Sequence, residues 1–408
     1  TLNTLWPLVC PQVTHNFCHT FIDMYRNGGL IPRGPSGGNY TFVMTAPTST
    51  TFLVSAWMYG VRTVDIERAY AGMRRNHEPG GLMSKAGYEH HTCKGGGIAF
   101  YLERGYVPQG IEAKASHTHA AATMTLEYAY HDWALAQLAE VLGHDQDYER
   151  FMARSGNYKN LWDPEIRFMR PRNMDGTFMA DFDPMSLEGW EEGNAYHYRW
   201  YAPHDIEGLI RLFGGRKSFV QELNSLFQKA EKHGFTAPHG RHTEGYIDYG
   251  NQPCTYLAHV FNHAGAPWLT QKWVSRVMRA AKSDITPFGG YGGDEDQGMM
   301  GALNVLMAIG LFNVRGGCEP DPVLELSTPV FDRTTIHLDP DYHNGDTFVI
   351  ETVGNGPGDR YIQSAKLNDK PLERFWFHHR DLIKGGTLKL WLGTEPNKEW
   401  GIVNDAKH

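Results

Sequence analysis

The chain has 408 residues and a formal net charge of −8, with acidic and basic side chains interspersed. This distribution argues against a nucleic-acid-binding protein, which needs a basic face, and no apolar run of about 18 residues predicts a membrane span. A hydrophobic content of 41% and a charged content of 21% are typical of a soluble globular protein with one large domain or two ordinary ones.

The helical patterns of the first 325 residues follow one another in pairs, joined by loops that hold the polar and aromatic clusters. Polar clusters at alternate junctions, with no fixed sequence period, favour a closed ring of helix pairs over a superhelical solenoid. We expect the irregular stretch 76–109, with Glu89, His90 and His91, to be a functional loop. Helices are predicted at 11–28, 49–60, 65–75, 117–142, 145–156, 205–213, 216–231, 254–263, 268–281 and 297–310.

The pattern changes after residue 325 to short runs of alternating apolar and polar residues, punctuated by turn residues. These runs predict a small β-module over residues 326–408. Asp339, Asp341 and Asn344 resemble a calcium-binding loop, but the following glycine is one position late, so we interpret them as a turn. Strands are predicted near 334–338, 347–351, 361–365 and 387–391.

The cysteines favour neither a disulfide framework nor a zinc ribbon, because they are odd in number and form no C-x-x-C pair. His15, Cys18 and His19 could place three metal ligands on one helical face, although an ordinary helix is the simpler interpretation. Thr1 is not a start methionine and no signal peptide is evident, so we expect a mature or truncated chain. The five cysteines are Cys10, Cys18, Cys93, Cys254 and Cys318.

An acidic loop, GDEDQG from Gly293 to Gly298, precedes an apolar helix. Asp294 and Asp296 would lie at the N-terminal end of that helix, where free N–H groups and the helix dipole stabilise anions. An ionised carboxylate is suited to a general base or to a metal ligand. The alternative is a simple helix cap, for which one acidic residue is enough.

A second acidic pair, Glu191 and Glu192, lies beside Trp190, Tyr196 and Tyr198. Aromatic surroundings desolvate a carboxylate and raise its pKa. The sequence therefore combines a carboxyl group suited to donate a proton with an aspartate pair suited to accept one, as glycoside hydrolysis requires. Alternatively, the two glutamates cap a helix that begins near residue 194.

Several stretches resemble glycoside hydrolase family 92, from about residue 5 to residue 401 and in family order. They are GGNYT, TLEYAYHDWALAQLA, NYKNLWDPEIRFMRPR, GWEEGNAYHYRWYAPHDIEGLI, GNQPCTYLAHVFNHAGAPWLTQKW, GGDEDQGMMGALNVLMAIGLFNV and YIQSAKLNDKPL to LGTEPNKEWG. The resemblance implies an exo-acting, calcium-dependent, inverting α-mannosidase that acts on mannose-containing glycans, as in N-glycan degradation. It also implies a mainly α fold, an (α/α)6 toroid over residues 1–325 followed by the β-module, and secretion or a periplasmic location.

The resemblance also assigns residues. Glu192 matches the family's general acid, and Asp296 matches the general base with Asp294 as its partner, so we expect an acid–base separation of about 6.5–9.5 Å. Asn251 and Gln252 match a calcium-binding segment, although the family's usual Asn-Glu-Pro is Asn-Gln-Pro here, which weakens a hard-cation site. Arg33 stands where an aromatic residue is expected. Substrate contacts are expected from Asn39, Trp190, Asn194, His197, Trp200, His204 and Asp205.

The family's N-terminal β-sandwich is absent from this sequence, so a separate β-sandwich domain or chain is a candidate partner. This absence keeps two alternatives open. One is a non-catalytic mannose-binding remnant, or half of a split enzyme that depends on a partner. The other is a different enzyme on a helical toroid, such as a polysaccharide lyase, which would tolerate loss of Glu192.

Overall fold

The computed structural model describes residues 1–36, 39–40, 44–84, 97–111, 120–238, 240–281, 286, 290 and 292–402. For residues 35–36 and 39–40 it describes the backbone alone. Cys93 and the predicted functional residues Glu89, His90 and His91 lie outside these ranges.

The predicted helices form, most of them with ends shifted by one to four residues. The helix predicted at 117–142 begins at Ala121. The helices of the described residues are α1 Leu2–Val9, α2 Pro11–Gly28, α3 Ser49–Met58, α4 Ile66–Asn76, α5 Ile98–Arg104, α6 Ala121–Leu142, α7 Asp145–Ser155, α8 Ala195–Tyr198, α9 Ile206–Leu212, α10 Arg216–Glu231, α11 Val260–His263, α12 Pro267–Ala281, α13 Met299–Ile309 and α14 His379–Leu382.

Two helical predictions are wrong in detail. Helix α5 lies inside the stretch predicted to be irregular; it has seven residues between the left-handed glycines Gly97 and Gly105, too few for a clear apolar period. The helix predicted at 254–263 forms as two 3₁₀ turns followed by the short α11. The backbone N–H of Ala258 donates to the Tyr249 hydroxyl at 3.0 Å, which removes one donor from a regular helical ladder.

The strands of the C-terminal region confirm the change of pattern after residue 325. The strands are β1 Pro35–Ser36, β2 Asn39–Tyr40, β3 Trp162–Asp163, β4 Phe168–Met169, β5 Leu311–Phe312, β6 Val323–Leu326, β7 Arg333–His337, β8 Thr347–Val353, β9 Tyr361–Leu367, β10 Lys370–Pro371, β11 Trp376–His378 and β12 Gly386–Gly393.

The chain divides into two compact units. The helical unit comprises residues 12–204 and 318–320, and the mixed unit comprises residues 1–11, 205–317 and 321–408. The C-terminal strands therefore share a unit with helices α9 to α13. The boundary predicted between residues 325 and 326 and the toroidal arrangement of the helices stay predictions.

The helical unit is built on α6, which is buried along nearly its whole length and ends at the left-handed Gly143. An apolar, alanine-rich helix of this kind belongs in the middle of a core. Its fully buried Asp132 accepts hydrogen bonds from His77 Nδ1 and from Arg154 Nε, each at 2.8 Å. This pairing satisfies a charge that would be costly to bury alone.

The mixed unit contains a five-stranded sheet in the order β10-β9-β12-β8-β7, in which β12 and β8 are parallel and the other pairs antiparallel. The buried face of this sheet includes Phe348, Ile350 and Leu390, and Leu8 of α1 packs into the same core. The predicted turn forms: the backbone N–H of Asp341 donates to Asp339 Oδ1 at 3.0 Å. In the part of the chain that is described, no helix is long and apolar enough to cross a membrane.

The cysteines of the described residues form no disulfide. Cys10, Cys18, Cys254 and Cys318 are free thiols. Cys18 is buried, and burial raises its pKa to about 12, so it is a poor partner for the more exposed His15 and His19 as a metal ligand.

Candidate active site

The acidic loop of the mixed unit is held by an unusually close backbone contact. Gly293 has a φ of +89°, and a Cβ atom at this position would lie 2.1 Å from the Gly250 Cα. The backbone N–H of the next residue, Asp294, donates to the Gly250 carbonyl at 3.1 Å. Only a residue without a side chain fits such an approach, so the glycine fixes where the aspartates begin.

Glu295 binds two backbone N–H groups at the start of helix α13. Its Oε2 accepts from the Gly298 N–H at 2.5 Å and its Oε1 from the Gly301 N–H at 3.4 Å. The free N–H groups that we expected to stabilise Asp294 and Asp296 thus bind their neighbour. The next two residues, Asp296 and Gln297, have φ values of +54° and +57°. Such left-handed conformations in non-glycine residues are costly and are typical of functional sites.

Asp296 is partly buried, and its environment differs from the expected one. Burial raises the pKa of its carboxyl group, and the negative charges of Asp294 and Glu295 raise it further. His242 and the hydrogen bond from Gln252 Nε2, 2.5 Å from Asp296 Oδ2, oppose this rise. The expectation of a net stabilised anion is therefore wrong for Asp296. A carboxylate with a raised pKa is a stronger base, which suits proton abstraction from water.

Asp294 is about one-third exposed and lies near an imidazole. His242 Nε2 is 3.6 Å from Asp294 Oδ2, and its Nδ1 is 3.1 Å from Oδ2 of the buried Asp248. The mixed unit therefore carries an aspartate pair, a glutamine and a histidine in one constellation. Gln252, Asp294 and Asp296 were predicted from the sequence, whereas His242 and Asp248 were not.

The second carboxyl cluster lies in the helical unit. Glu191 is buried, with its N–H donating to Thr123 Oγ1 at 3.0 Å and its carbonyl accepting from the Tyr198 hydroxyl at 2.6 Å. Glu192 is partly exposed and has a φ of +45°. The backbone of Glu191 is thus held by two hydrogen bonds, and that of Glu192 has a left-handed conformation, which is costly for a non-glycine residue.

Glu127 is a third member of this cluster, and sequence reasoning missed it. Burial raises its pKa to about 7, the charges of Glu191 and Glu192 contribute, and a hydrogen bond from Thr45 opposes the shift. Thr45 Oγ1 donates to Glu127 Oε2 at 2.5 Å. Glu127 lies on helix α6, whose apolar composition predicts a core helix. The sequence around Glu127 therefore gives no sign of a site residue. The proton-donating role predicted for the Glu191 and Glu192 pair stays a prediction.

Arg33 holds a backbone segment next to this cluster. It is buried and donates from Nε to the Ala46 carbonyl at 2.7 Å and from Nη2 to the Thr45 carbonyl at 3.4 Å. It therefore holds the segment whose threonine binds Glu127, and burial lowers its pKa to about 10. The signal in the sequence was its unexpected position in a loop where an aromatic residue was predicted.

The aromatic and histidine side chains that were predicted to contact a substrate are buried. Trp190 is fully buried and stacks on Tyr198 with ring centroids 5.2 Å apart. Trp200 and His197 are also buried, and His204 Nε2 lies 3.0 Å from the Ser155 carbonyl. The contact of these side chains with a substrate stays a prediction.

Two predicted polar contacts are helix caps. Asn194 Oδ1 accepts from the N–H groups of Tyr196 at 2.9 Å and His197 at 3.2 Å, so this asparagine, and neither Glu191 nor Glu192, caps α8. Asp205 caps α9 by accepting from the Gly208 N–H at 2.8 Å. The side chain of Asn39 lies outside the described residues.

Asn251 and Gln252 fit a calcium ion by donor type. Calcium prefers oxygen ligands, and both amides carry one; Asn251 is buried, and Gln252 directs its Nε2 to Asp296. Among the described residues, however, no three His, Cys, Asp or Glu side chains are grouped to hold a metal. The site thus offers neutral oxygens where the family pattern has a carboxylate.

Comparison with known sequences gives one family and one curated relative. The model of the glycosyl hydrolase family 92 catalytic domain matches residues 1–394. An uncharacterized secreted glycosidase of Arthroderma benhamiae is 26% identical over 439 residues, which cover 98% of this chain and 51% of that protein. The chain therefore spans about half the length of this relative.

Solved structures similar to this chain include two mannosidases of Bacteroides thetaiotaomicron. A family GH92 inverting mannosidase is 30% identical with a TM-score of 0.84, over 99% of this chain and 53% of that one. A family GH92 α-mannosidase is 26% identical with a TM-score of 0.83, over 99% and 50%. The latter enzyme in complex with mannoimidazole is 25% identical with a TM-score of 0.83, over 99% and 51%.

Proposed function

The chain belongs to glycosyl hydrolase family 92, and from this premise we propose that it is the catalytic part of an exo-acting α-mannosidase that hydrolyses terminal α-linked mannose, α-1,2 linkages above all, with inversion. The observation that carries the proposal is the presence of two carboxyl clusters, one around Glu192 and one around Asp296, with the pKa of Asp296 raised by burial. The similar solved structures are mannosidases, and one of them is named as inverting. The helices would form the (α/α)6 toroid of the family, and the substrate would be a mannose-containing glycan.

The chemistry assigned to the two clusters is a single displacement. Asp296, whose pKa is raised by burial, takes a proton from water as the water oxygen bonds to the anomeric carbon. The bond from that carbon to the glycosidic oxygen breaks, and Glu192 gives its proton to the departing oxygen. Asp294 supports the base, and Glu127, whose pKa the charges of Glu191 and Glu192 help to raise, lies in the region of the proposed acid.

Calcium would be held by the amide oxygens of Asn251 and Gln252, with the substrate completing its ligands. When bound, the ion would orient the mannose 2- and 3-hydroxyl groups. The remaining proposed substrate contacts are Asn39, Trp190, Asn194, His197, Trp200, His204 and Asp205. Because the curated relative is called secreted, we also propose an extracellular or periplasmic location.

The test is the release of mannose from α-1,2-mannobiose by wild-type chain and by Asp296→Asn, with calcium and with a chelator. We expect β-mannose as the first product by NMR, and a loss of about a thousandfold or more in kcat for Asp296→Asn because a general base is removed. Asp175→Asn, which changes an exposed turn, is the control and should turn over normally.

The outcomes separate the alternatives. Release that stops on chelation supports the calcium assignment, and release that ignores the chelator removes it. Normal turnover by Asp296→Asn would contradict the assigned base. Mannose binding by a folded chain without turnover would favour the binding-only or partner-dependent alternative, which the replacement of a carboxylate by Gln252 also favours. Turnover that survives Glu192→Gln would favour a different enzyme class.

A further inference from the structure

A histidine lies between two carboxylates beside the proposed base. His242 Nδ1 is 3.1 Å from Asp248 Oδ2, and His242 Nε2 is 3.6 Å from Asp294 Oδ2. The exposed fraction of the side chain rises along this row, from 1% for Asp248 to 13% for His242 and 32% for Asp294. The row therefore leads from the interior of the mixed unit to the accessible acidic loop.

Asp248 is the fixed end of the row. Its Oδ1 accepts from the N–H groups of Ala237 at 3.1 Å and Gly250 at 2.8 Å, while its Oδ2 faces the imidazole. A buried carboxylate with three partners has little freedom to rotate, and removal of one partner leaves an uncompensated charge. The ring of His242 is consequently held in one orientation.

The orientation of the ring decides which of its nitrogens faces Asp294. A neutral imidazole has one N–H and can donate to one of the two carboxylates, whereas an imidazolium donates from both nitrogens. Since Asp248 takes Nδ1, the other nitrogen is directed at Asp294. Gly250, which donates to Asp248, also accepts from the Asp294 N–H at 3.1 Å. Asp294 is thus located through its backbone and through its side chain by the same short segment.

We infer that His242, oriented by Asp248, is a positioning residue that holds the Asp294 carboxylate in place next to the base. This inference rests on the proposed function, because the reaction it serves is the activation of water at Asp296. The same kind of arrangement, a carboxylate that orients a histidine which orients a reacting group, occurs behind metal ligands and typically contributes 10- to 100-fold to activity.

The kinetic test compares His242→Ala, His242→Asn, His242→Gln and Asp248→Asn with wild type. In His242→Asn the shorter side chain can still donate to Asp248 but cannot reach Asp294. In His242→Gln the longer side chain can reach Asp294 but cannot contact both carboxylates. We expect kcat to fall about 10- to 100-fold in the alanine and asparagine variants, with KM nearly unchanged and partial recovery in His242→Gln. Arg241→Ala, which removes only the exposed Arg241–Glu244 ion pair, is the control and should behave as wild type.

A purely structural role would give a different pattern. In that case His242→Asn with a wild-type melting temperature would have wild-type kcat, and any loss would follow the melting temperature across the series. Either result would overturn the inference. Recovery of His242→Ala by added imidazole would support it, since the ring is partly accessible and a free imidazole can occupy its place.

An NMR experiment tests the inference without turnover. Long-range ¹H–¹⁵N spectra of the histidine rings, with the His242 signals assigned by their loss in His242→Asn, are recorded for wild type, Asp248→Asn and Asp294→Asn. We expect the Nδ1 signal to move in Asp248→Asn and the Nε2 signal to move in Asp294→Asn. An Nε2 signal that ignores Asp294→Asn contradicts the inference. A chain that shows these shifts but releases no mannose instead contradicts the proposed function.

Discussion

The two carboxyl clusters of this protein are held by different means. In the helical unit, Glu127 is fixed on the buried helix α6, and burial, together with the charges of Glu191 and Glu192, raises its pKa to about 7. In the mixed unit, Asp294 and Asp296 belong to a loop whose position depends on the contact of Gly293 with Gly250 and on hydrogen bonds from neighbouring groups. In the first cluster the surroundings set the pKa of Glu127. In the second the backbone conformation sets the position of the two aspartates.

This difference predicts different sensitivities. A change of charge should affect the helical-unit cluster through the pKa of Glu127, because burial and the charges of Glu191 and Glu192 raise it. A change of backbone shape should affect the loop, because its glycine contact leaves no room for a side chain. The variants below test this contrast, from the largest expected effect to the smallest.

Gly293→Ala should have the largest effect. The new Cβ would meet the Gly250 Cα at 2.1 Å, so the backbone must move and carry Asp294 and Asp296 with it. We expect a loss of at least about a hundredfold in kcat, since a displacement of about 1 Å at reacting groups has this cost. Gly265→Ala is the matched control: φ there is +75° but no atom lies within 4 Å of the added Cβ. It should lose about 1 kcal/mol of stability and keep its kcat; equal kinetics for both variants would refute the backbone argument.

Glu127→Gln should change the pH dependence of stability. The folded-state pKa of Glu127, about 7, lies above its unfolded value of 4.5, so its contribution is fully present below pH 4.5 and is lost as the pH rises through 7. Wild type should therefore lose about 2 kcal/mol relative to Glu127→Gln between pH 5 and pH 8, allowing for partial solvation. Urea unfolding at both pH values measures this difference, with the exposed Glu149→Gln as control; parallel curves for wild type and Glu127→Gln would show that burial does not govern this carboxyl.

Glu295→Ala should have the smallest effect, although it changes the residue between the two aspartates. It removes the bonds to the Gly298 and Gly301 N–H groups, which should lower the free energy of unfolding by about 1 kcal/mol. Asp65→Ala, which removes the cap of α4, should have a similar cost. Both should keep kcat within a few fold in mannobiose assays. If Glu295→Ala lost as much kcat as Asp296→Asn, the assignment of Asp296 as the base would be contradicted.

The fold was predictable from the sequence where apolar residues recur with a single helical or strand period. Helix α10 has the predicted bounds of 216–231, and the strands after residue 325 appear where alternation and turn residues place them. Helix α5 and the 3₁₀ turns after Asn251 were not predictable, because a two-turn helix shows little periodicity and because the Tyr249 hydroxyl takes a backbone donor from Ala258. Local pattern cannot reveal such a bond.

The sequence was enough to predict which residue types form the site. It was less informative about the hydrogen-bond and charge partners of those residues. Acidic residues between glycines and beside aromatic residues marked both clusters. The sequence could not show that Glu295 takes the helix N–H groups or that Glu127 joins Glu191, since the first depends on left-handed φ values and the second on contacts over more than 60 residues. His242 was hidden for the same reason, because its two carboxylates are 6 and 52 residues away along the chain.

Helix α1 has a consequence for how the protein is made. The hydroxyl of Thr1, the residue before this helix, donates to the Met299 carbonyl at 2.8 Å, and the Pro7 carbonyl of the helix lies 3.1 Å from His343 Nε2. On a ribosome that adds about 5–20 residues per second, these partners emerge roughly 15–70 s after the helix does. Almost all of the helical unit, by contrast, is one continuous segment that can begin to pack during synthesis. The first eleven residues must therefore wait without their partners while the rest of the chain is translated, and this interval is when a chaperone or a neighbouring nascent chain has access to their apolar face.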